Sequence, residues 1–241
     1  MPRKDSYFAS QTPARIDVGR AGARALTETL LKFRADHALA RDAVNSELSV
    51  GFLQKMIESF AAVCVQTSCA DRHEFVRFPP KGRVFSEETL AALRSACIEN
   101  PDVQIVMSDG LSARAVESNL PDLLKIIEDG LKLEKFSTGT PVIVKQGRVA
   151  AADQIAFALG AKLVINLIGE RPGLSSAESL SAYITLNPGP QTISSDRTVI
   201  SNIHRGGTPP LEAGAYAVQL VKKIFEHKLS GVKLQLAEGR K

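Results

Sequence analysis

The sequence predicts an α/β fold in which a mainly helical N-terminal region precedes a Rossmann-like C-terminal half built on a mainly parallel sheet. Three observations carry that prediction. Residues 25–100 place apolar side chains at helical spacing, with few strand-like runs between them. After Pro101, five short apolar runs alternate with helical stretches, the pattern of βαβ units. One of those runs, "LVINLI" at 163–168, shows almost no polar alternation, as expected of a parallel strand covered on both faces.

Taken in order, the elements divide the chain into an arm (1–24), a mainly helical region (25–100) and an α/β domain (101–241). The arm is polar, rich in Arg and Gly, and lacks the apolar core of a secretory signal, so it reads as an ordered or partly ordered extension. Leu26, Leu30, Leu31, Phe33, Leu39 and Val44 recur at roughly helical spacing, predicting a helix from Ala25 to Ser46. Residues 49–66 form a second apolar run, read as helical. "CADRHEFVRFPPKGRVF" is read as a loop, because Pro79, Pro80 and Gly82 interrupt regular structure. Ser86 is the predicted N-cap of a helix reaching about Glu99, with Glu87 and Glu88 in the first turn, where the helix dipole favours negative charge. Strands are then predicted at 103–108, 141–146, 163–168, 182–186 and 199–203, and helices at about 112–132, 151–159 and 209–228. No internal repeat is evident.

The totals exclude several classes of function. The 241 residues carry 30 Lys and Arg against 26 Asp and Glu, spread along the chain, so no basic patch argues for nucleic acid. With no Trp and three Tyr, stacking platforms for bases are scarce. Cys64, Cys69 and Cys97 have neither zinc-site nor paired-disulfide spacing and read as reduced thiols of a cytoplasmic protein. No apolar stretch reaches the roughly 18 residues of a membrane span.

Three strand ends carry polar turns: Ser108-Asp109-Gly110, Gly169-Glu170 and Asn202-Ile203-His204. Ligands of open α/β sheets bind at the carboxyl ends of strands, so these turns are candidates to form one site. Each also has a plain structural reading. Asp109 is a turn former or a base. Glu170 and Arg171 are a surface ion pair, or Glu170 accepts hydrogen bonds from a ligand. In "HRGGTPP", Thr208 caps a helix that tolerates Pro209 and Pro210 in its first turn, or Gly206 and Gly207 admit a ligand to the helix N-terminus. No dinucleotide, Walker, nucleophile-elbow or metal-spaced His motif is present.

Six segments together resemble the small subunit of ethanolamine ammonia-lyase: "TPARIDVGRAG", "ADHALARDAV", "SDGLSA", "GRVAAADQIAFALGAKLVINLIGERPGL", "DRTVISNIHRGGTPPLEAGAYAV" and "KLSGVKL". The combination of GERPGL with SNIH-x-GGTPP about 30 residues later is specific, and the likeness spans both ends and nearly all of the second half. The resemblance implies an adenosylcobalamin-dependent radical enzyme that converts ethanolamine to acetaldehyde and ammonia. In that enzyme a large TIM-barrel subunit holds the substrate, and the small subunit closes over the cobalamin without supplying catalytic residues. It also implies that Val149, Glu170 and Val199 contact the cofactor, and it leaves open whether the enzyme is free in the cytoplasm or enclosed in a bacterial microcompartment. Well-known members carry Cys where Val199 stands, and residues 46–84 follow the family pattern poorly.

Many cobalamin enzymes replace the cofactor's own benzimidazole with a histidine in a D-x-H-x-x-G motif. Asp71-Arg72-His73 begins that pattern, but Val76 occupies the Gly position and the segment is expected to lie away from the predicted site. His204 has Asn202, not Asp, two residues before it. The expectation is therefore base-on cobalamin without a histidine ligand from this chain. Two other readings stay open: a stand-alone α/β module binding a nucleotide or anion, and a structural partner that docks the enzyme through its arm.

Overall fold

The computed structural model describes residues 7–11, 15–174 and 176–239. Residues 1–6 and 12–14 of the predicted arm therefore lie outside the described residues. What is seen of the arm is a short helix α1 (Tyr7–Gln11) and a two-stranded hairpin of β1 (Arg20–Ala21) and β2 (Arg24–Ala25). Helices α2 (Thr27–Asn45) and α3 (Val50–Phe60) follow. The expected helical run to residue 66 ends early: Ala61 takes a left-handed conformation (φ 49°) that closes α3. The β-branched Val63 and Val65 then continue as strand β3 (Val63–Gln66). The predicted loop contains α4 (Arg72–Arg77), started by the Asp71 carboxylate, which accepts the Glu74 N–H at 2.7 Å. Ser86 caps α5 (Glu87–Ala96) by accepting the Thr89 N–H, as its sequence position predicts.

The rest alternates as expected: β4 (Val103–Ser108), α6 (Ala113–Leu133), β5 (Val142–Lys145), α7 (Ala151–Ala158), β6 (Leu163–Gly169), β7 (Leu180–Leu186), β8 (Arg197–Ile203), α8 (Pro210–His227) and α9 (Gly231–Glu238). Among the described residues, six strands form one sheet in the order β3-β5-β4-β6-β7-β8. β3, β5, β4 and β6 are parallel, joined by helical crossovers, while β7 is antiparallel to both its neighbours. Among the described residues no helix lies between β6 and β7, and only a single 3-10 turn, Ser194–Asp196, lies between β7 and β8; a connection without a crossover helix returns a strand antiparallel. Two reversals restore the direction, so β8 ends at the same edge of the sheet as β4 and β6.

Burial follows from this order. Every residue of β4 and β6 is buried, because these strands are central and covered on both faces. On one face Met56 of α3, Leu124 and Ile127 of α6, and Val221 and Ile224 of α8 pack with Ile105, Ile165 and Ile184. On the other, Leu93 of α5 and Ile155 of α7 pack with Val106, Val142, Val144 and Val164. That second layer stops at β6. Ser181 and Thr185 of β7 are buried on this face, but Tyr183 between them stays half-buried and Val199 of β8 is 45% exposed, so the face is open around Tyr183 and Val199. No helix of the described residues is long and apolar enough to cross a membrane.

Candidate functional site

Two of the three polar strand ends are locked together. Gly110 follows β4 at φ +56°, and a Cβ there would stand 2.1 Å from the Gly169 carbonyl oxygen at the end of β6. Only glycine permits that approach, which lets the Leu111 N–H donate to the same carbonyl at 2.9 Å. Glu170 comes next. Its backbone N–H donates to the Ser179 carbonyl at 2.9 Å. The Ser179 hydroxyl donates to its Oε2 at 2.8 Å and the Ser181 hydroxyl to its Oε1. The carboxylate is thus oriented by two hydroxyls, and each oxygen keeps a lone pair for a further donor.

Val149 is held from the sheet. The Ser108 hydroxyl donates to Asn166 Oδ1 at 3.0 Å, and Asn166 Nδ2 donates to the Val149 carbonyl at 3.2 Å. Asn166 is the one polar side chain within the buried run 163–168, and this relay satisfies it. Tyr183 lies opposite Asn166 and Val199 opposite Tyr183 in the strand register, so all three share the partly bare face. A cavity of about 350 Å³ is lined by Gly110, Val149, Ile168, Glu170, Arg171 and Tyr183. A second, of about 600 Å³, shares Arg148, Val149 and Tyr183 with it. Val149 and Glu170 therefore meet in one cavity. Val199 lines neither and stands one strand further along the same face.

Behind this face lies a buried charge. Asp109 accepts the Gln146 N–H at 2.9 Å and the Gly147 N–H at 3.0 Å, which fixes the loop leading to Val149. The Arg72 guanidinium is 3.3 Å away, itself buried, and donates to the Val44 carbonyl at 2.7 Å. Burial pushes the Asp109 carboxyl up to about 6, against the opposing pull of Arg72 and the backbone N–H groups. Residues 71–77 were expected away from the strand ends, but Arg72 reaches the end of β4. Phe75 also stacks under Arg148 at 4.1 Å, so the segment abuts the site. Arg72 carries no sequence signal of a site role, because its partner lies 37 residues away, and the strand-end position of Ser108 does not reveal its bond to Asn166, 58 residues on.

The third turn goes elsewhere. His204 and Arg205 line a separate cavity with Arg114, Asn119 and Glu178, so the three polar ends do not form one site. Thr208 does not cap the following helix: Pro209 holds the N-cap position with no side-chain cap bond. Thr208 instead closes a tight loop, with its N–H on the Asn202 carbonyl at 2.9 Å and its carbonyl accepting the His204 N–H at 3.1 Å. A Cβ on Gly207 would stand 2.3 Å from the Asn202 oxygen, so that glycine serves the loop. The Gly206 N–H donates to His204 Nδ1 at 3.1 Å, and Nε2 is 2.8 Å from Asn202 Oδ1. Because a backbone N–H can only donate, Nδ1 is the acceptor and Nε2 carries the proton. Among the described residues no group of three His, Cys, Asp or Glu side chains is arranged to hold a metal, and Cys64, Cys69 and Cys97 are free thiols.

Residues 4–235 match the family described as ethanolamine ammonia-lyase light chain (EutC). The ethanolamine ammonia-lyase small subunit of Clostridium acetobutylicum is 46% identical over 231 residues, covering 96% of this chain and 94% of that protein. Those of Clostridium tetani and Listeria innocua are 48% and 45% identical, covering 93% of this chain and 75% of each relative. A match over nearly the whole length, at this identity, places the chain in the ethanolamine ammonia-lyase small subunit family.

Proposed function

We propose that this chain is the cofactor-contacting, non-catalytic subunit of an adenosylcobalamin-dependent ethanolamine ammonia-lyase, and that it holds the cobalamin at its interface with a large TIM-barrel subunit. The observation that carries the reading is the partly open face near the carboxyl ends of the parallel strands, where Val149 and Glu170 share a cavity and Val199 extends the same surface. The residues present suit the group. A corrin ring is a broad apolar plate edged with amides; Val149, Tyr183 and Val199 offer apolar contact, and Glu170 offers oriented acceptor oxygens. When bound, adenosylcobalamin supplies the radical chemistry that turns ethanolamine into acetaldehyde and ammonia. This chain's part is to orient the cofactor edge and to exclude water from one side.

The histidines favour base-on cobalamin. Both ring nitrogens of His204 are engaged within its own loop. The Asp71 carboxylate caps α4 and is not free to orient His73, which stands exposed on that helix. The reading implies the cytoplasm, free or within a microcompartment, and neither nucleic acid nor membrane as a partner.

The test is co-expression with the large subunit. The purified complex should carry a corrinoid visible absorption spectrum. Glu170→Ala should weaken cobalamin binding by about 0.5–1.5 kcal/mol for the lost hydrogen bond. Unchanged affinity in a folded variant would remove Glu170 from the site, and a chain that copurifies with neither partner nor corrinoid would favour a stand-alone module.

A further inference from the structure

Beside the Glu170 cavity, the 600 Å³ cavity has a different chemical character. Three guanidinium groups, Arg83, Arg148 and Arg197, and three hydroxyl-bearing side chains, Tyr183, Thr192 and Ser194, line it, and no carboxylate does. The Arg197 side chain is 8% exposed; it pairs with Asp153 on one side, while its Nε has no hydrogen-bond partner. Arg148 is less provided for. Its guanidinium stacks on Phe75 and donates to the Phe75 carbonyl at 2.8 Å, and its buried Nε is unpartnered. Among the described residues it forms no ion pair. Burial first, then the like charges of Arg72, Arg171 and Arg83, push its guanidinium below the ordinary range.

Clustered like charges at a partly desolvated wall cost free energy unless an anion joins them. Guanidinium groups are planar forks that match phosphate oxygens. Ala150, at the start of α7, also lines the cavity, so the positive end of that helix's dipole adds to the field. The helix lends field more than donors, because the Ala151 and Ala152 N–H groups already bond to the Arg148 and Val149 carbonyls.

We propose that this cavity is a phosphate subsite in which Arg148, with Arg83 and Arg197, holds a phosphate oxyanion. The inference rests on the cobalamin reading above, because Arg148, Val149 and Tyr183 border both cavities and a group bound in one adjoins the other. The phosphate comes either from the phosphodiester of the cofactor's nucleotide loop or from a free phosphate ion bound beside it.

The test measures corrinoid binding by visible absorbance in the complex with the large subunit, using cyanocobalamin and cobinamide, which has the same corrin without the nucleotide loop. Arg148→Gln is compared with wild type, and Arg83→Gln serves as a second variant on an exposed residue whose loss leaves the core untouched. If the nucleotide-loop phosphate is held, Arg148→Gln raises the Kd for cyanocobalamin by about tenfold or more, as for one charge-assisted hydrogen bond, and shifts cobinamide, whose corrin Arg148 also borders, by several-fold less. Arg83→Gln then shifts cyanocobalamin alone, by less. If the source is free phosphate, inorganic phosphate tightens cobinamide binding to wild type and Arg148→Gln abolishes that effect. Equal weakening of both corrinoids, or no change in either with no response to inorganic phosphate, overturns the subsite. A wild-type complex that binds neither corrinoid overturns the cofactor reading instead, and calorimetry with inorganic phosphate then decides the subsite separately.

Discussion

Asp109 joins four segments: the end of β4, the loop at Gln146 and Gly147, α4 through Arg72, and the end of α2, whose Val44 carbonyl Arg72 also bonds. Its folded pKa of about 6 lies above the ordinary 3.8, so burial penalises the charged form more than its partners favour it. A carboxyl raised in this way contributes stability that is fully present below 3.8 and is lost as pH rises through about 6. Removing the guanidinium raises that pKa further and leaves an uncompensated buried charge when Asp109 ionises. Arg72→Met should therefore cost about 3–5 kcal/mol at pH 8 and distinctly less at pH 5. Urea unfolding of both proteins at the two pH values checks this. An equal loss at both would mean that Arg72 acts through its stack on Phe75 and its bond to Val44 and not through charge.

Helix α2 and helix α6 are of similar length but differ in what holds them. Of the 19 residues of α2 only Ala43 is buried, and Leu30, Leu31, Phe33 and Leu39 are exposed. The 21 residues of α6 bury a continuous stripe including Leu120, Leu124, Ile127 and Leu131. Helical stability in proteins comes mostly from such packing, so α2 amides should exchange with deuterated solvent far faster than those of α6. Mass-spectrometric exchange on the isolated chain measures it; equal protection would mean that α2 has a covering absent from this chain. The same contrast bears on what can be read from sequence. The long periodic helices, the Ser86 cap and the five later strands are legible because their signals are local. β3 is not, because four residues of strand after an apolar helix share its hydrophobicity and lack the length to show a period. At the site, the strand-end positions of Asp109 and Glu170 are visible in the sequence. The Ser108–Asn166–Val149 relay and the Arg72–Asp109 pair are not, since they depend on strand order. Thr208 had the composition of a cap and lost the position to Pro209, because the His204 to Thr208 loop claims its backbone.

At the scale of the molecule, the surface around Tyr183 and Val199 stands open beside the Glu170 cavity. In the proposed division of labour this chain orients the cofactor and the large subunit holds ethanolamine, so the isolated chain with adenosylcobalamin should form no acetaldehyde, and adding the large subunit should start the reaction. Acetaldehyde from this chain alone, detected by coupled reduction with an alcohol dehydrogenase, would place substrate binding here. The opening at Val199 bears on how such a chain can vary. Side chains of a strand alternate between faces, so Ile200 belongs to the core and its neighbour Val199 to the open surface. A change at 200 is answerable to folding, whereas a change at 199, such as between valine and cysteine, keeps a small apolar side chain on the pleat and leaves the packing alone. A substitution at 200 is thus answered by the stability of the fold, and one at 199 by what the open surface contacts in the proposed complex.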